Sequence, residues 1–306
     1  MEQLIAALDL GTSKMIAMVA RKQYGGGLSI LHTEKEKPEN NNIKRGYIHN
    51  INVTSAKISG LIRKLNFKLK ENSLEKIYVG IGGQSLRTEQ FCVKKPVEGG
   101  VVTKEIIDGL KAEADFYVPE FAKTLKVLEP EYYLDGALET HPEGINASEI
   151  EVRFLLIVGM STLQKLVEKV ILDSKINAAD FFISPLATAE AVLTKEEKEL
   201  GCALVEWGAG ITYVSVYKGG ALKYLITIPI GGSAISKDIR SLNVSEEEAE
   251  KLKSEYGSAI LNPNENRTIK IAENTDSPRE VKIANLNEII EARADEIIAN
   301  IIAQIG

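Results

Sequence analysis

Two hydrophobic periods alternate along the 306 residues. Short apolar or alternating runs at 4–9, 14–20 and 28–33 are separated by Gly11-Thr12-Ser13 and by Gly25-Gly26-Gly27, which predicts three strands joined by turns. A polar stretch at 35–42 reads as a loop. Ile58, Leu61, Ile62, Leu65 and Leu69 then recur at helical spacing, predicting a helix over 54–69, and 77–81 reads as a buried strand. From 82 to 159 the pattern changes. Alternating stretches at 86–93, 125–134 and 150–158 surround one helix, with Thr103 as its expected cap and Glu105 in its first turn. This describes a small α+β unit inserted between a strand and an amphipathic helix at 161–174, for which Ser161 is the expected cap.

A helix from Pro185 to about Leu193 is followed by a second run of three strands, at 203–207, 211–217 and 221–228, with Gly208-Ala209-Gly210 and Lys218-Gly219-Gly220 between them. The two strand triplets begin alike. Asp9-Leu10-Gly11 and Glu206-Trp207-Gly208 each run acidic residue, any residue, glycine, small turn, strand, which suggests a duplicated unit. Facing copies would put an acidic residue and a glycine-lined hairpin on each wall of a cleft. Residues 233–256 read as two helices joined near Asn243. The polar segment 262–280 reads as a loop around one short strand at 268–272, and 285–305 as a long helix with one broad isoleucine-rich face.

Composition narrows the class. The chain is 44% hydrophobic and 26% charged, the balance of a folded globular protein of two domains or one core with insertions. A net charge of −6 gives no overall pull toward nucleic acid or anionic lipid. Cys92 and Cys202 lack metal-ligand spacing and are expected as reduced core residues. His32, His49 and His141 share no spacing with a nucleophile. No signal peptide is expected, and no run is long and apolar enough to span a bilayer, so the expectation is a cytosolic protein. The last helix carries Glu288, Glu291, Asp295 and Glu296 against Arg293, the wrong sign for a face that lies on anionic lipid.

Four segments carry candidate chemistry. In Asp9-Leu10-Gly11-Thr12-Ser13-Lys14, a tight hairpin leaves backbone amides free to bind phosphate oxygens. Gly11 allows close approach, Thr12 and Ser13 add hydroxyls, Lys14 adds a charge, and Asp9 can hold Mg²⁺ through water. The other reading is a plain hairpin with a polar turn. In the second hairpin Glu206, Gly208, Gly210 and Thr212 could repeat these roles, although Trp207 and Tyr213 are bulky there. Gly231-Gly232-Ser233 precedes a helix whose first amides could face an anion, or simply begin the helix. Glu250 and Lys253 share a helix face and could hold a ribose hydroxyl and cover an adenine, or form a surface ion pair.

Taken together these elements resemble the actin, sugar-kinase and DnaK-chaperone superfamily, and within it the FtsA family of actin-like bacterial cell-division proteins. The resemblance rests on Ala7 to Lys14, Ile43-Lys44-Arg45-Gly46-Tyr47-Ile48, Tyr78 to Gly83, Pro185 to Leu193, Glu247 to Lys253 and Asn287 to Arg293. It implies an actin-like (ribonuclease-H-like) α/β fold of duplicated domains with an inserted α+β subdomain 1C. The implied boundaries are subdomain 1A at 1–83 and 160–195, 1C at 84–159, 2A at 196–232 with its return beginning at 285–306, and 2B at 233–284. It implies ATP and Mg²⁺ as ligands, a filament of copies touching through 1C, and binding of the FtsZ C-terminal tail by 2B, with Arg279, Lys282 and Arg293 as the basic candidates. Other divisome proteins would be partners, nucleic acid would not. The place of action would be the inner face of the cell membrane at the division site, reached through a C-terminal amphipathic helix. Family members continue past this point into a glycine-rich adenosine loop, so a shortened chain is expected. The second loop departs from the family's Asp, any, Gly-Gly-Gly-Thr-Thr-Asp: Ile211 replaces a threonine and Tyr213 the last aspartate, so weak ATP binding and slow or absent hydrolysis are expected. A PilM-like pilus-assembly adaptor and a sugar kinase of the same fold are the alternatives.

Overall fold

The computed structural model describes residues 4–38, 42–69, 74, 76–271 and 279–305. The chain opens with β1 (Leu4–Leu10), β2 (Met15–Lys22) and β3 (Leu28–Glu36), an antiparallel meander, and a small ribbon of β4 (Ile43–Lys44) and β5 (Tyr47–Ile48). Helix α1 (Ile51–Leu69) and β6 (Ile77–Ile81) follow. Next come β7 (Arg87–Pro96), α2 (Lys104–Phe116), β8 (Lys123–Val127), β9 (Glu131–Leu134), β10 (Ala137–Glu139) and β11 (Glu149–Gly159). The chain then returns through α3 (Ser161–Asp173), β12 (Ala178–Ile183), α4 (Ser184–Val192) and α5 (Lys195–Leu200). The second meander is β13 (Cys202–Trp207), β14 (Thr212–Lys218) and β15 (Ala221–Ile228). It leads to α6 (Gly232–Ile239), α7 (Glu246–Glu255), the ribbon of β16 (Thr268–Ile271) and β17 (Arg279–Lys282), and α8 (Ile283–Ile305).

The first sheet has the order β12-β6-β1-β2-β3, with β6 parallel to both β1 and β12. Alternation turns Ala6 and Leu8 of β1, and Met15, Ala17 and Val19 of β2, to one face. Ile58, Leu61 and Leu65 of α1 and Leu163, Val167 and Val170 of α3 pack on that face, all essentially buried. The second sheet runs β10-β9-β11-β7-β15-β14-β13, with β8 added to β11. Its 84–159 part has a core of its own, built from Val152, Phe154 and Leu156 against Leu110 and Ala114 of α2. The two parts of this sheet meet where Arg87 is paired with Ile226. Side chains reinforce that seam: the Thr88 hydroxyl accepts the Leu225 amide at 3.0 Å, and the Thr227 hydroxyl donates to the Leu86 carbonyl at 2.8 Å. A third core gathers Ile235, Ile239, Leu252, Leu286, Ile290 and Ile297 from α6, α7 and α8.

Several expectations shift. Thr103 does cap α2, accepting the Ile106 amide, but α3 is capped at Met160 with no side-chain bond, and Ser161 is already its first residue. Cys92 is exposed on β7 and Cys202 half-buried; both are free thiols. Strand alternation puts Val93 inside and its neighbour Cys92 outside. The stretch at 125–134 splits into β8 and β9 around Pro130, which has no amide to give a ladder. The structure adds β12, α5 and β17, which the hydrophobic pattern does not mark. α5 is only six residues, stabilised by a capping box between Thr194 and Glu197. The loop expected at 35–42 starts later, since β3 runs to Glu36; residues 39–41 lie outside the described residues.

Candidate functional site

The suspected duplication is visible atom by atom. In the first hairpin the Gly11 amide donates to the Lys14 carbonyl at 3.0 Å; in the second the Gly208 amide donates to the Ile211 carbonyl at 3.0 Å. A Cβ at Gly11 would stand 2.7 Å from the Lys14 oxygen, and one at Gly208 2.8 Å from the Ile211 oxygen. Neither turn closes with a side chain at that position. The hairpins face each other: a Cβ at Gly210 would meet Thr12 Oγ1 at 2.8 Å and Thr12 Cγ2 at 2.9 Å. Thr12 Oγ1 also accepts the Gly46 amide at 3.2 Å, which gives the Lys44-Arg45-Gly46 segment a place beside the site. Gly46 has φ +72° and lies against the Gly83 backbone, where a side chain would be both strained and blocked.

Each strand that enters a hairpin carries its acidic residue one position before its end. Asp9 keeps contact with solvent, yet the protein packed around its carboxyl pushes its pKa up, against the opposing pull of Lys14 and the Leu10 amide. Burial also raises Glu206, a hydrogen bond from Thr188 opposes this, and the nearby Asp9 charge adds to it. The Thr188 hydroxyl donates to Glu206 Oε2, while Glu206 Oε1 is buried with no hydrogen-bond partner. Ser13 and Lys14 are exposed, and Thr212 is buried with its hydroxyl donating to the Ile230 carbonyl at 2.8 Å. Thr212 thus ties β14 to the chain after β15 and offers no free donor, contrary to the expected role.

Tyr213 does more than crowd the second loop. Its ring lies in the main core at 8% exposure, and its oxygen accepts the Gly83 amide at 2.7 Å. This bond joins β14 to the segment just after β6, a strand of the first sheet. Burial drives the phenol pKa far above its usual value, so the group stays neutral.

The expectation for Gly231-Gly232-Ser233 changes. The Gly232 amide donates to the Gly208 carbonyl at 2.9 Å and the Ser233 amide to the Ala209 carbonyl at 2.8 Å. The first amides of α6 therefore brace the second hairpin and do not face an anion. A Cβ at Gly231 would meet the Gly208 oxygen at 2.4 Å, so that glycine is required by packing. Glu250 and Lys253 form their ion pair at 2.7 Å, and Lys253 also donates to Ser236 Oγ at 2.8 Å and to the Gly232 carbonyl at 3.2 Å. Burial pulls the Glu250 pKa up, but hydrogen bonds from Lys253 and Ser236 and the charges of Lys253 and Lys37 bring it below the usual value. Lys37, just past the end of β3, thus acts across to α7. Arg293 is held by Asp238 at 2.5 Å and by Glu296 at 2.5 Å, so its charge is already balanced. Lys282 is exposed at the end of β17, and Arg279 begins that strand.

The residues fit a nucleotide with a hydrated cation in one respect. The Asp9 charge lies close enough to raise the Glu206 pKa, and Glu206 Oε1 is an acceptor with no donor. Two carboxylates suit Mg²⁺ held through water. No group of three or more His, Cys, Asp or Glu able to hold a metal directly occurs among the described residues. A cavity of about 600 Å³ lies elsewhere, lined by Leu128, Phe181, Leu186 and Tyr217 among others. Sequence reasoning missed Thr188 and the bond made by Tyr213. The available signal for Thr188 was a lone hydroxyl inside the small apolar run Pro185-Leu186-Ala187-Thr188-Ala189.

Paired meanders with facing hairpins are the arrangement of the actin-like ATPase fold, and solved structures of that class match the chain. The PilM–PilN type IV pilus biogenesis complex superposes with a TM-score of 0.57 at 14% identity, covering 82% of this chain and 69% of that one. MreB5 of Spiroplasma citri bound to ADP gives 0.55 at 12% identity, covering 99% and 78%. At these identities the likeness is one of fold. Sequence is more particular. The family model described as "Cell division protein FtsA" matches residues 203–300. The cell division protein FtsA of Porphyromonas gingivalis is 34% identical over 306 residues, 98% of this chain and 64% of the relative. That of Neisseria meningitidis is 28% identical, covering 99% and 74%. Over nearly its whole length the chain is similar to the FtsA cell division proteins, and it spans just under two thirds of the length of the Porphyromonas gingivalis relative.

Proposed function

We propose that this chain is the nucleotide-binding, self-associating part of a cell-division scaffold. The observation that carries the reading is the facing pair of equivalent hairpins, each preceded by a carboxylate: Asp9 before Gly11 and Glu206 before Gly208. In this reading ATP with Mg²⁺ binds weakly between them. Gly11, Thr12, Ser13 and Lys14 approach the phosphates from one side and Gly208 and Gly210 from the other, with Asp9 and Glu206 toward the hydrated cation. Glu250 and Lys253 reach the nucleoside. A bound Mg²⁺ supplies charge neutralisation for the phosphates. Hydrolysis is slow or undetectable because Tyr213 is neutral and hydrogen-bonded to Gly83, and has no carboxylate to offer the attacking water. The nucleotide then acts as a structural ligand that stabilises the protein by mass action.

Copies assemble through the 84–159 unit, and the FtsZ C-terminal tail docks on the 233–300 region. Lys282 and Arg279 are the leading basic contacts there; Arg293 contributes only if the tail displaces Asp238 or Glu296. Other divisome proteins join the same scaffold, at the cytoplasmic face of the division site, with membrane attachment through an amphipathic helix. Among the described residues no helix is long and apolar enough to cross a membrane. The test is a thermal-shift titration with ATP and Mg²⁺ beside a phosphate-release assay and a pull-down with an FtsZ tail peptide. A shift, no turnover and peptide capture are expected. Turnover of sugars supports the kinase alternative. Capture of a pilus-protein tail in place of the FtsZ peptide supports the adaptor alternative.

A further inference from the structure

Glu206 is oriented by a residue from the other half of the molecule. Thr188 lies on α4, which follows the last strand of the first sheet, whereas Glu206 stands near the end of β13, the first strand of the second meander. The Thr188 hydroxyl donates to Glu206 Oε2. A hydroxyl has one proton, and its other contact, the Ser184 carbonyl at 3.3 Å, is the long back-bond common inside helices, so the carboxylate is the better acceptor. With Oε2 held, Oε1 is left buried and without a partner.

The platform that carries Thr188 is firmly seated. Pro185 stands in the first turn of α4, Ala189 is fully buried, and Glu190 is paired with the buried Lys198 of α5 at 2.6 Å. The groups around the Glu206 carboxylate are Asp9 from β1, Tyr213 from β14 and Thr188 from α4. Among the described residues no hydrogen bond runs from Tyr213 to Glu206, and Asp9 carries the same charge as Glu206, so neither orients the carboxylate. Thr188 is left as the side chain that does.

We propose that Thr188 is a positioning residue: by holding Glu206 Oε2 it fixes Glu206 Oε1 toward the water shell of the divalent cation that accompanies a bound nucleoside triphosphate. This rests on the nucleotide reading of the site given above. It makes the cation-dependent part of the affinity a property of the contact between the two halves, because the carboxylate belongs to one and its holder to the other.

The experiment measures the affinity for ATP by thermal shift, once with Mg²⁺ and once with EDTA, in wild type, T188V, T188A, T188S and E206A. Removing a hydrogen bond to a charged group should weaken binding with Mg²⁺ about tenfold in T188V and T188A. Binding with EDTA should be unchanged, and T188S, which keeps the hydroxyl, should bind as wild type does. In the E206A background T188V should cause no further loss, since its effect runs through that carboxylate. The melting temperature without ligand identifies any variant that fails to fold, and T188A serves where T188V does. The proposal is overturned if T188V and T188A bind as wild type with Mg²⁺, if they lose equally with EDTA, or if the losses add in E206A. A wild-type protein with no ATP-induced shift in either condition instead overturns the nucleotide reading itself.

Discussion

Changing Tyr213 to Phe isolates one atom. The ring would keep its place in the main core, and only the oxygen that accepts the Gly83 amide at 2.7 Å would go. That amide is buried at the contact and would be left without an acceptor. An unsatisfied buried donor costs about 1–3 kcal/mol. At roughly 2 °C per kcal/mol for a chain of this size, the melting temperature of the nucleotide-free protein should fall by about 2–6 °C. Because burial keeps the phenol neutral, the difference should be the same at pH 6 as at about pH 9. Calorimetry of both proteins at the two pH values measures it, and hydrogen exchange at Gly83 should quicken because its bond joins the two halves. A melting temperature within about 0.5 °C of wild type, or a difference that appears only at high pH, would refute the reasoning.

Other perturbations probe the facing hairpins and the polar cluster beyond them. G210A places a Cβ 2.8 Å from Thr12 Oγ1, so it should lower the melting temperature, and adding T12S, which removes the methyl at 2.9 Å, should restore part of the loss. D9N removes a charge that burial disfavours, so it should raise the melting temperature without ligand while abolishing the shift induced by ATP with Mg²⁺; a variant that lowers the first would count against the electrostatic account. Glu250 has a depressed folded pKa, so its contribution to stability is present above its unfolded value, about 4.5, and is lost as pH falls through the folded one. E250Q should therefore flatten the acid limb of the stability curve below about pH 4.5, read by urea unfolding, and an unaltered limb would show that Lys253 and Ser236 do not favour the charged form.

The two meanders and the duplicated acidic-residue–glycine hairpins are legible in the order of residues alone. These are local features: strand alternation, turn glycines and helical spacing are written in neighbouring residues, and Gly11 and Gly208 close their turns through a carbonyl three positions on. The joint at Asn243, with φ +59°, was legible for the same reason. The short elements β12, α5 and β17 were not, because a few residues carry too little pattern and are held by what they pack on. What each polar group meets was set by the folded contacts. They placed Thr212 on the Ile230 carbonyl and the first amides of α6 on the second hairpin, so that neither is free for a ligand. They paired Arg293 with Asp238 across 55 positions, Tyr213 with Gly83 across 130, and Thr188 with Glu206 from the opposite half. A donor's type is a property of its residue, but whether it is free depends on the nearest acceptor in space. Burial then makes that pairing obligatory, since a desolvated polar group left alone is costly.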